Sequence, residues 1–186
     1  MRVSTKQINE YPWALRPFFW KQKRKYGAVL QPGLLWARVP QLFGAVAVLY
    51  GVLDRKGSPL SPALRSLVTV RVSQINWCNF CVDINSATLA KRTGSMEKVE
   101  NLLEWRESSL FDAKEQVVLE YTEAITYSDR QVSDELMARL NNFFDEDSII
   151  ELTGLIAFQN MSSKFNSALD VPSQGFCKVP HDHFNS

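Results

Sequence analysis

The chain of 186 residues carries 21 basic and 20 acidic side chains, for a formal net charge of +1. So close a balance leaves no global field to draw nucleic acid or an anionic membrane surface, and neither is expected as a partner. The length suits one good core better than two small ones, so a single domain is expected. Three cysteines make no disulfide scaffold, and an odd count with one close pair suits a reducing compartment. The polar start, MRVSTKQINEY, lacks the apolar stretch of a secretory signal, which makes cytoplasmic residence the expectation.

In chain order, residues 13–26 mix Trp13, Phe18, Phe19 and Trp20 with Lys21, Lys23, Arg24 and Lys25. Pro12 and Pro17 break any long amphipathic helix here, so the stretch reads as an arm covering its own core or a sister subunit rather than a membrane or nucleic-acid surface. Residues 1–30 are taken as that arm, 31–170 as the helical domain and 171–186 as a tail. The run at 42–53, LFGAVAVLYGVL, is short of the roughly 20 residues that span a bilayer and reads as a buried helix following Pro40.

Ser61 and Pro62 open the next helix, whose apolar positions are Leu64, Leu67, Val68, Val72 and Ile75. Asn76 interrupts it. The pattern resumes from Trp77 through Phe80, Ile84, Ala87, Thr88 and Ala90, and Lys91, Arg92 and Gly94 form a stop. Ser95 and Glu97 open a short helix through Leu103, and Ser109 with Asp112 precedes one over 113–127. Ser133 with Asp134 and Glu135 starts another towards Phe143 and Phe144, and a long last helix covers about 147–169. No alternating strand pattern competes, so the fold class is all-α.

Cys78 and Cys81 form a Cys-Asn-Phe-Cys motif at the start of the helix that follows Asn76. Cysteines three apart lie on one helical face, close enough to cycle between dithiol and disulfide, and the dipole of a first turn favours the thiolate at Cys78. Free cysteine is usually a small buried hydrophobe, but the pair at a helix start favours redox chemistry. Structural zinc needs four ligands, and no second Cys-x-x-C or paired-histidine motif is present. Cys177, His181 and His183 form a Cys-x-x-x-His-x-His run, which reads as a polar terminus rather than a metal site. No cofactor or metal site is assigned.

The stretch LVTVRVSQINWCNFCVDINSATLA at 67–90 resembles the core of the carboxymuconolactone decarboxylase and AhpD-like alkylhydroperoxidase superfamily. The resemblance implies an all-helical, homo-oligomeric protein, and, for the AhpD branch, peroxide reduction by a Cys-x-x-C pair that a protein dithiol regenerates. Three departures stand out. Where that branch has a glutamate twelve positions before the first cysteine, this chain has Ser66. Asn85 replaces the histidine four positions after the second cysteine, and Phe80 replaces another histidine just before it. Serine and asparagine orient water or hydrogen-bond, but neither is a base near neutral pH.

Cys78, Cys81 and Asn85 share one helical stripe, which makes Asn85 either a hydrogen-bond partner of a thiolate or part of a polar packing seam. Asp83 lies off the stripe and is expected as an exposed charge near a helix start. Trp77 and Phe80 flank the thiols as candidate pocket walls, with core packing the simpler account for Phe80. Tyr121, Tyr127 and Gln159 are polar-tipped residues that nothing local assigns to the site, and Cys177 becomes a third thiol only if the tail folds back.

The leading expectation is a thiol peroxidase using Cys78 and Cys81, with Ser66 and Asn85 at the positions of a degenerate relay. Its partners would be a peroxide or other small oxidant and a protein dithiol. A catalytically silent or redox-sensing homo-oligomer is the alternative. A decarboxylase-type lyase ranks below both, because the histidine-bearing pattern of that branch is missing.

Overall fold

The computed structural model describes residues 1–177. Its long elements, in chain order, are α1 (Arg16–Tyr26), α2 (Gln31–Ala37), α3 (Pro40–Leu53), α4 (Pro62–Ile75), α5 (Asn79–Thr93), α6 (Glu97–Glu100), α7 (Ala113–Thr126), α8 (Asp134–Asn141) and α9 (Glu146–Ala168). No strand occurs among the described residues, and no helix there is long and apolar enough to cross a membrane. His181 and His183 lie outside the described residues.

The helix starts follow their caps. The side chains of Ser61, Asp112, Ser133 and Asp145 each accept a backbone N–H from the first turn of α4, α7, α8 and α9. Each such cap stabilises its helix by about 1 kcal/mol. Pro17 falls in the first turn of α1, where its missing donor costs nothing, and so begins a helix rather than breaking one. Gly94 ends α5 in the left-handed conformation at φ 76°, as its sequence position implied.

At the centre lies α4, with ten of its fourteen residues buried, packed against α5, α7 and α9. Leu67, Val68, Val70 and Val72 meet Val118 and Leu119 of α7 and Leu152 and Ile156 of α9 in the main core. The N-terminal arm closes a second cluster, in which Tyr11 and Phe19 pack on Trp36 and Phe43, while Trp13 and Trp20 stay exposed. The arm therefore covers its own core.

Two expectations are corrected. Residues 42–53 do form a helix, but α3 buries only Phe43 and Leu53 and exposes Leu42, Val48, Leu49, Tyr50 and Val52. It packs along one side against α2 and α9, and apolarity all round a helix cannot say whether its other side is covered by the same chain. The helix after Ser95 stops at Glu100 instead of Leu103, because Leu102 and Trp105 are drawn into the core from turns rather than from a helix face.

Candidate active site

The thiols sit at the junction of α4 and α5. Asn76 caps the end of α4, and its amide donates to Asn160 Oδ1 and Ser163 Oγ on α9, both at 2.8 Å, which ties the junction down. Trp77 reverses the chain at φ 52°, and its ring is left 62% exposed, so it does not line a pocket as expected. Cys78 is the N-cap of α5 rather than a first-turn residue, and its Sγ accepts the Cys81 N–H at 3.2 Å. Cys78 and Cys81 are joined as a disulfide with Cα atoms 5.2 Å apart, inside the range such bonds use. An N-cap sulfur faces the unpaired N–H groups of the first turn, the setting that favours a thiolate once the bond is reduced.

Beside the pair lies a cavity of about 440 Å³, within the usual range for small-molecule sites. Cys81, Asn85, Thr88 and Arg92 line it from α5, four residues at alternating steps of four and three that form one stripe. Opposite run Ser66 and Thr69 of α4 and Leu155, Gln159, Ser162 and Asn166 of α9. Aromatic and aliphatic groups of α1, α2 and α3, chiefly Phe18, Trp36, Phe43 and Val46, roof it. Trp36 is held by a stacked contact with Phe165, ring centroids 3.5 Å apart.

Polar contacts near the thiols are made by amides and hydroxyls. Asn166 Nδ2 donates to Cys81 Sγ at 3.2 Å, while the same residue's Oδ1 is buried without a partner among the described residues. Asn85 Nδ2 donates to Ser73 Oγ at 3.2 Å, and Gln159 Nε2 donates to the same oxygen at 2.9 Å. Ser73 in turn donates to the Thr69 carbonyl at 2.5 Å. Cys78, Cys81 and Asn85 thus share a neighbourhood. Ser66 does not: Arg92 Nη1 donates to its Oγ at 2.9 Å, and the helices cross antiparallel, so Ser66 faces the far end of α5. Phe80 does line the cavity.

Asn166 and Ser73 escaped the sequence reading, and Gln159 was named there without a place. Residues 155, 159, 162 and 166 are spaced for one face of α9, but serine, asparagine and glutamine on a helix carry no local sign of what they meet. Tyr121 instead bonds Thr153 at 2.7 Å, and Tyr127 packs under the Arg130 guanidinium at 4.2 Å.

Asp83 overturns the expectation of an exposed charge, being fully buried. Its Oδ2 accepts the backbone N–H groups of Gln174 and Gly175, both at 2.8 Å, and its Oδ1 accepts that of Cys177 at 2.7 Å. The tail therefore folds back over the start of α5, with Gly175 at φ 75° making the bend. Phe176 packs edge-on against Phe80, and Val171 joins Leu35, Cys78, Phe80 and Cys81 in a small apolar cluster. Covered in this way, Cys78 and Cys81 are 1% and 3% exposed. Cys177 is a half-buried free thiol whose backbone N–H is anchored on Asp83.

The opposite side of α4 carries a second buried polar cluster. Glu123 accepts from Arg71 Nε at 2.9 Å and Nη2 at 2.6 Å, from Trp105 Nε1 at 2.9 Å, from Arg106 at 2.8 Å and from Arg130 at 3.0 Å. Burial works against its ionisation, but the hydrogen bonds from Arg106, Trp105 and Arg71 and the Arg71 charge outweigh it and hold the pKa down at about 2. No group of histidine, cysteine and carboxylate side chains suited to a metal occurs among the described residues.

The profile of the carboxymuconolactone decarboxylase family matches residues 40–124, from the start of α3 into α7. The chain is 46% identical over 173 residues to the uncharacterized protein YnjA of Escherichia coli strain K12, covering 93% of this chain and 95% of that one. An uncharacterized peroxidase-related protein of Silicibacter sp. TM1040 shares the fold with a TM-score of 0.85 at 22% identity, over 94% of this chain and 93% of that one. A protein of Ralstonia eutropha JMP134, described as an alkylhydroperoxidase AhpD core, superposes with a TM-score of 0.83 at 18% identity, over 98% and 93%. With the profile spanning the helices that carry the thiol pair and the likeness to YnjA running nearly end to end, the chain belongs to the carboxymuconolactone decarboxylase family, and its fold is that of the AhpD core.

Proposed function

We propose that the protein is a thiol-dependent peroxidase in which Cys81, the thiol that reaches the cavity, attacks, and Cys78, whose N-cap setting favours its thiolate, resolves. The observation that carries this reading is a disulfide-competent pair with one member, Cys81, on the wall of an organic-sized cavity. In the reduced protein the Cys81 thiolate attacks the terminal oxygen of a hydroperoxide, the O–O bond breaks and the alkoxide departs. Cys78 then attacks the resulting sulfenic sulfur and displaces hydroxide. The two protons given up by the two thiols end on the alkoxide and the hydroxide, so one alcohol, one water and one disulfide form for each peroxide. A protein dithiol returns the two electrons, and no cofactor is needed.

Asn166 steadies the Cys81 thiolate by its hydrogen bond, and Asn85 acts one step removed, by fixing Ser73 and the seam behind the thiol. Ser66 belongs to the Arg92 end of the cavity and serves that guanidinium. The apolar outer face of α3 is read as the self-association surface of a cytoplasmic homo-oligomer. Light scattering should give a multiple of the chain mass, reduced by Val48→Asp.

The absence of carboxylate or imidazole from the hydrogen bonds around the thiols, among the described residues, favours one second reading: a silent oligomer that keeps the disulfide as a staple. Hydroperoxide in small excess, added to reduced protein, separates the two when cysteine states are followed by mass spectrometry. A peroxidase forms the Cys78–Cys81 disulfide faster folded than unfolded, and Cys81→Ser ends peroxide consumption. Equal rates in folded and unfolded chains leave the staple.

A further inference from the structure

We infer that the cavity is built for an elongated organic acid, with the acid group at Arg65 and Arg92 and the reacting group at Cys81. This rests on the reading of Cys81 as the attacking thiol and names the substrate class for it. From Cys81 to Arg92 the α5 stripe climbs eleven residues, about 16 Å at 1.5 Å per residue. Asn166 to Leu155 covers the same span on α9, and Gly154, next to Leu155, lies against Leu53, the neighbour of Asp54. The site is a trench with two distinct ends.

Its polar atoms divide accordingly. In the middle, several donors already have partners within the protein: Thr88 donates to the Ile84 carbonyl at 2.8 Å, Thr69 to the Ser66 carbonyl at 3.0 Å, and Ser73 gathers the amide N–H groups of Asn85 and Gln159. The roof above is apolar, from Phe18, Trp36, Phe43, Val46 and Ala47. Two buried lining atoms have no partner among the described residues, and they lie at opposite ends: Asn166 Oδ1 beside Cys81, and Arg65 Nε. An unpartnered buried donor or acceptor is costly unless a ligand or water meets it.

Charge decides which ligand end goes where. Arg65 and Arg92 share a single carboxylate, Asp54, at 3.4 and 2.9 Å, so two guanidinium groups face one anion. Asp54 is the one acidic side chain among the residues that line the cavity. That end has a net positive charge and a free guanidinium N–H, which suits a carboxylate. At the other end Asn166 Oδ1 accepts, as the O–H of a hydroperoxide requires, while the Nδ2 of the same amide holds the sulfur. An apolar chain fills the roofed middle.

The test is titration calorimetry on the reduced full-length protein with three probes: a saturated carboxylate of twelve to sixteen carbons, the alcohol of the same length, and butyrate. The long acid should bind at least tenfold more tightly than either. Arg92→Ala should remove the preference for acid over alcohol and Arg92→Lys should retain most of it, with circular dichroism checking the fold. Because the acid-against-alcohol comparison on the wild type needs no variant, a misfolded Arg92→Ala leaves the test intact. No binding of the long acid, or equal binding of the alcohol, overturns the inference. A small neutral hydroperoxide, run in parallel, reports separately on the thiols: disulfide formation without acid binding removes the substrate class alone, and acid binding without thiol oxidation removes the peroxidase reading alone.

Discussion

Two polar clusters are buried against α4, one at Glu123 and one at Cys81, and they are finished differently. Glu123 has both oxygens filled, by three arginines and an indole N–H, and does not itself line a cavity, although Arg106 and Arg130 border an open hollow and the Gln74 amide beside Arg71 keeps a spare N–H. Around Cys81 every first contact is neutral, a lining amide oxygen is left over, and open volume lies beside it. Saturated ionic groups hold helices together, because any loss leaves a buried charge. Groups with spare hydrogen-bonding capacity on a cavity wall are fitted to something that comes and goes. The family's relay would put an imidazole at position 85 behind the thiols, where this chain has an amide, and the buried ion pair of Arg71 and Glu123 is on the structural side.

Breaking the structural cluster should have the largest effect on stability. Glu123→Ala leaves Arg71 buried without its counter-ion, and the expected cost is about 3–5 kcal/mol in urea unfolding. The same carboxylate predicts a pH profile. Its folded pKa of about 2 is below the ordinary 4.5, so its contribution is complete above about pH 4.5 and is lost as pH falls towards 2. On the order of 3 kcal/mol should go over that window. Unfolding of Glu123→Gln should lack that step, and an unchanged profile would refute the assignment.

Breaking the thiol cluster should leave the fold in place and change reactivity. Asn166→Ala removes the hydrogen bond to Cys81 Sγ, and a bond to a charged sulfur contributes about 1.5–3 kcal/mol. Stopped-flow oxidation by a small hydroperoxide should slow by about tenfold or more, with the Cys81 thiol pKa raised in a thiolate absorbance titration. A loss of stability with no change in thiol pKa would move Asn166 to the structural side of the comparison.

Asp83 stands between the two classes, a buried carboxylate saturated by backbone N–H groups that holds the tail over Cys78 and Cys81. Asp83→Ala should release residues 171–177 at a cost of about 2–3 kcal/mol. The disulfide should then be reduced faster by dithiothreitol than in the wild type, and hydrogen exchange should speed up in the tail. Slower or unchanged reduction would mean that the tail does not restrict access.

The helices were legible because caps and apolar periods are local: Ser61, Ser133 and Gly94 mark ends that the structure keeps. The Cys-x-x-C pair was legible for the same reason. What the sequence hid is set by partners distant along the chain. Asp83 has the appearance of a surface acid until a tail some ninety residues later supplies three N–H groups. Asn166 pairs with Cys81 across 85 positions, with no spacing rule to announce it. The exposed side of α3 was misjudged because hydropathy reports that a face needs cover without naming what covers it.

The smallest expected effect is the most pointed test of the difference between the clusters. Asn85→His puts an imidazole beside Ser73, one helical turn from Cys81, where the family's relay has a histidine. Full general acid–base assistance adds about 10²–10⁴ in rate. The gain here should be much smaller, about tenfold or less, since an imidazole needs a group to fix its orientation and protonation state. Ser66 lies at the other end of the trench against Arg92, so a glutamate placed there in the double variant would meet that guanidinium instead of the new histidine. A new rate dependence near pH 6.5 in Asn85→His, with little further gain in the double variant, would show that the thiol end is receptive to a base while the far end is committed to charge. A large synergistic gain would instead mean that α4 and α5 shift to bring positions 66 and 85 together, and the two-ended trench would have to be redrawn.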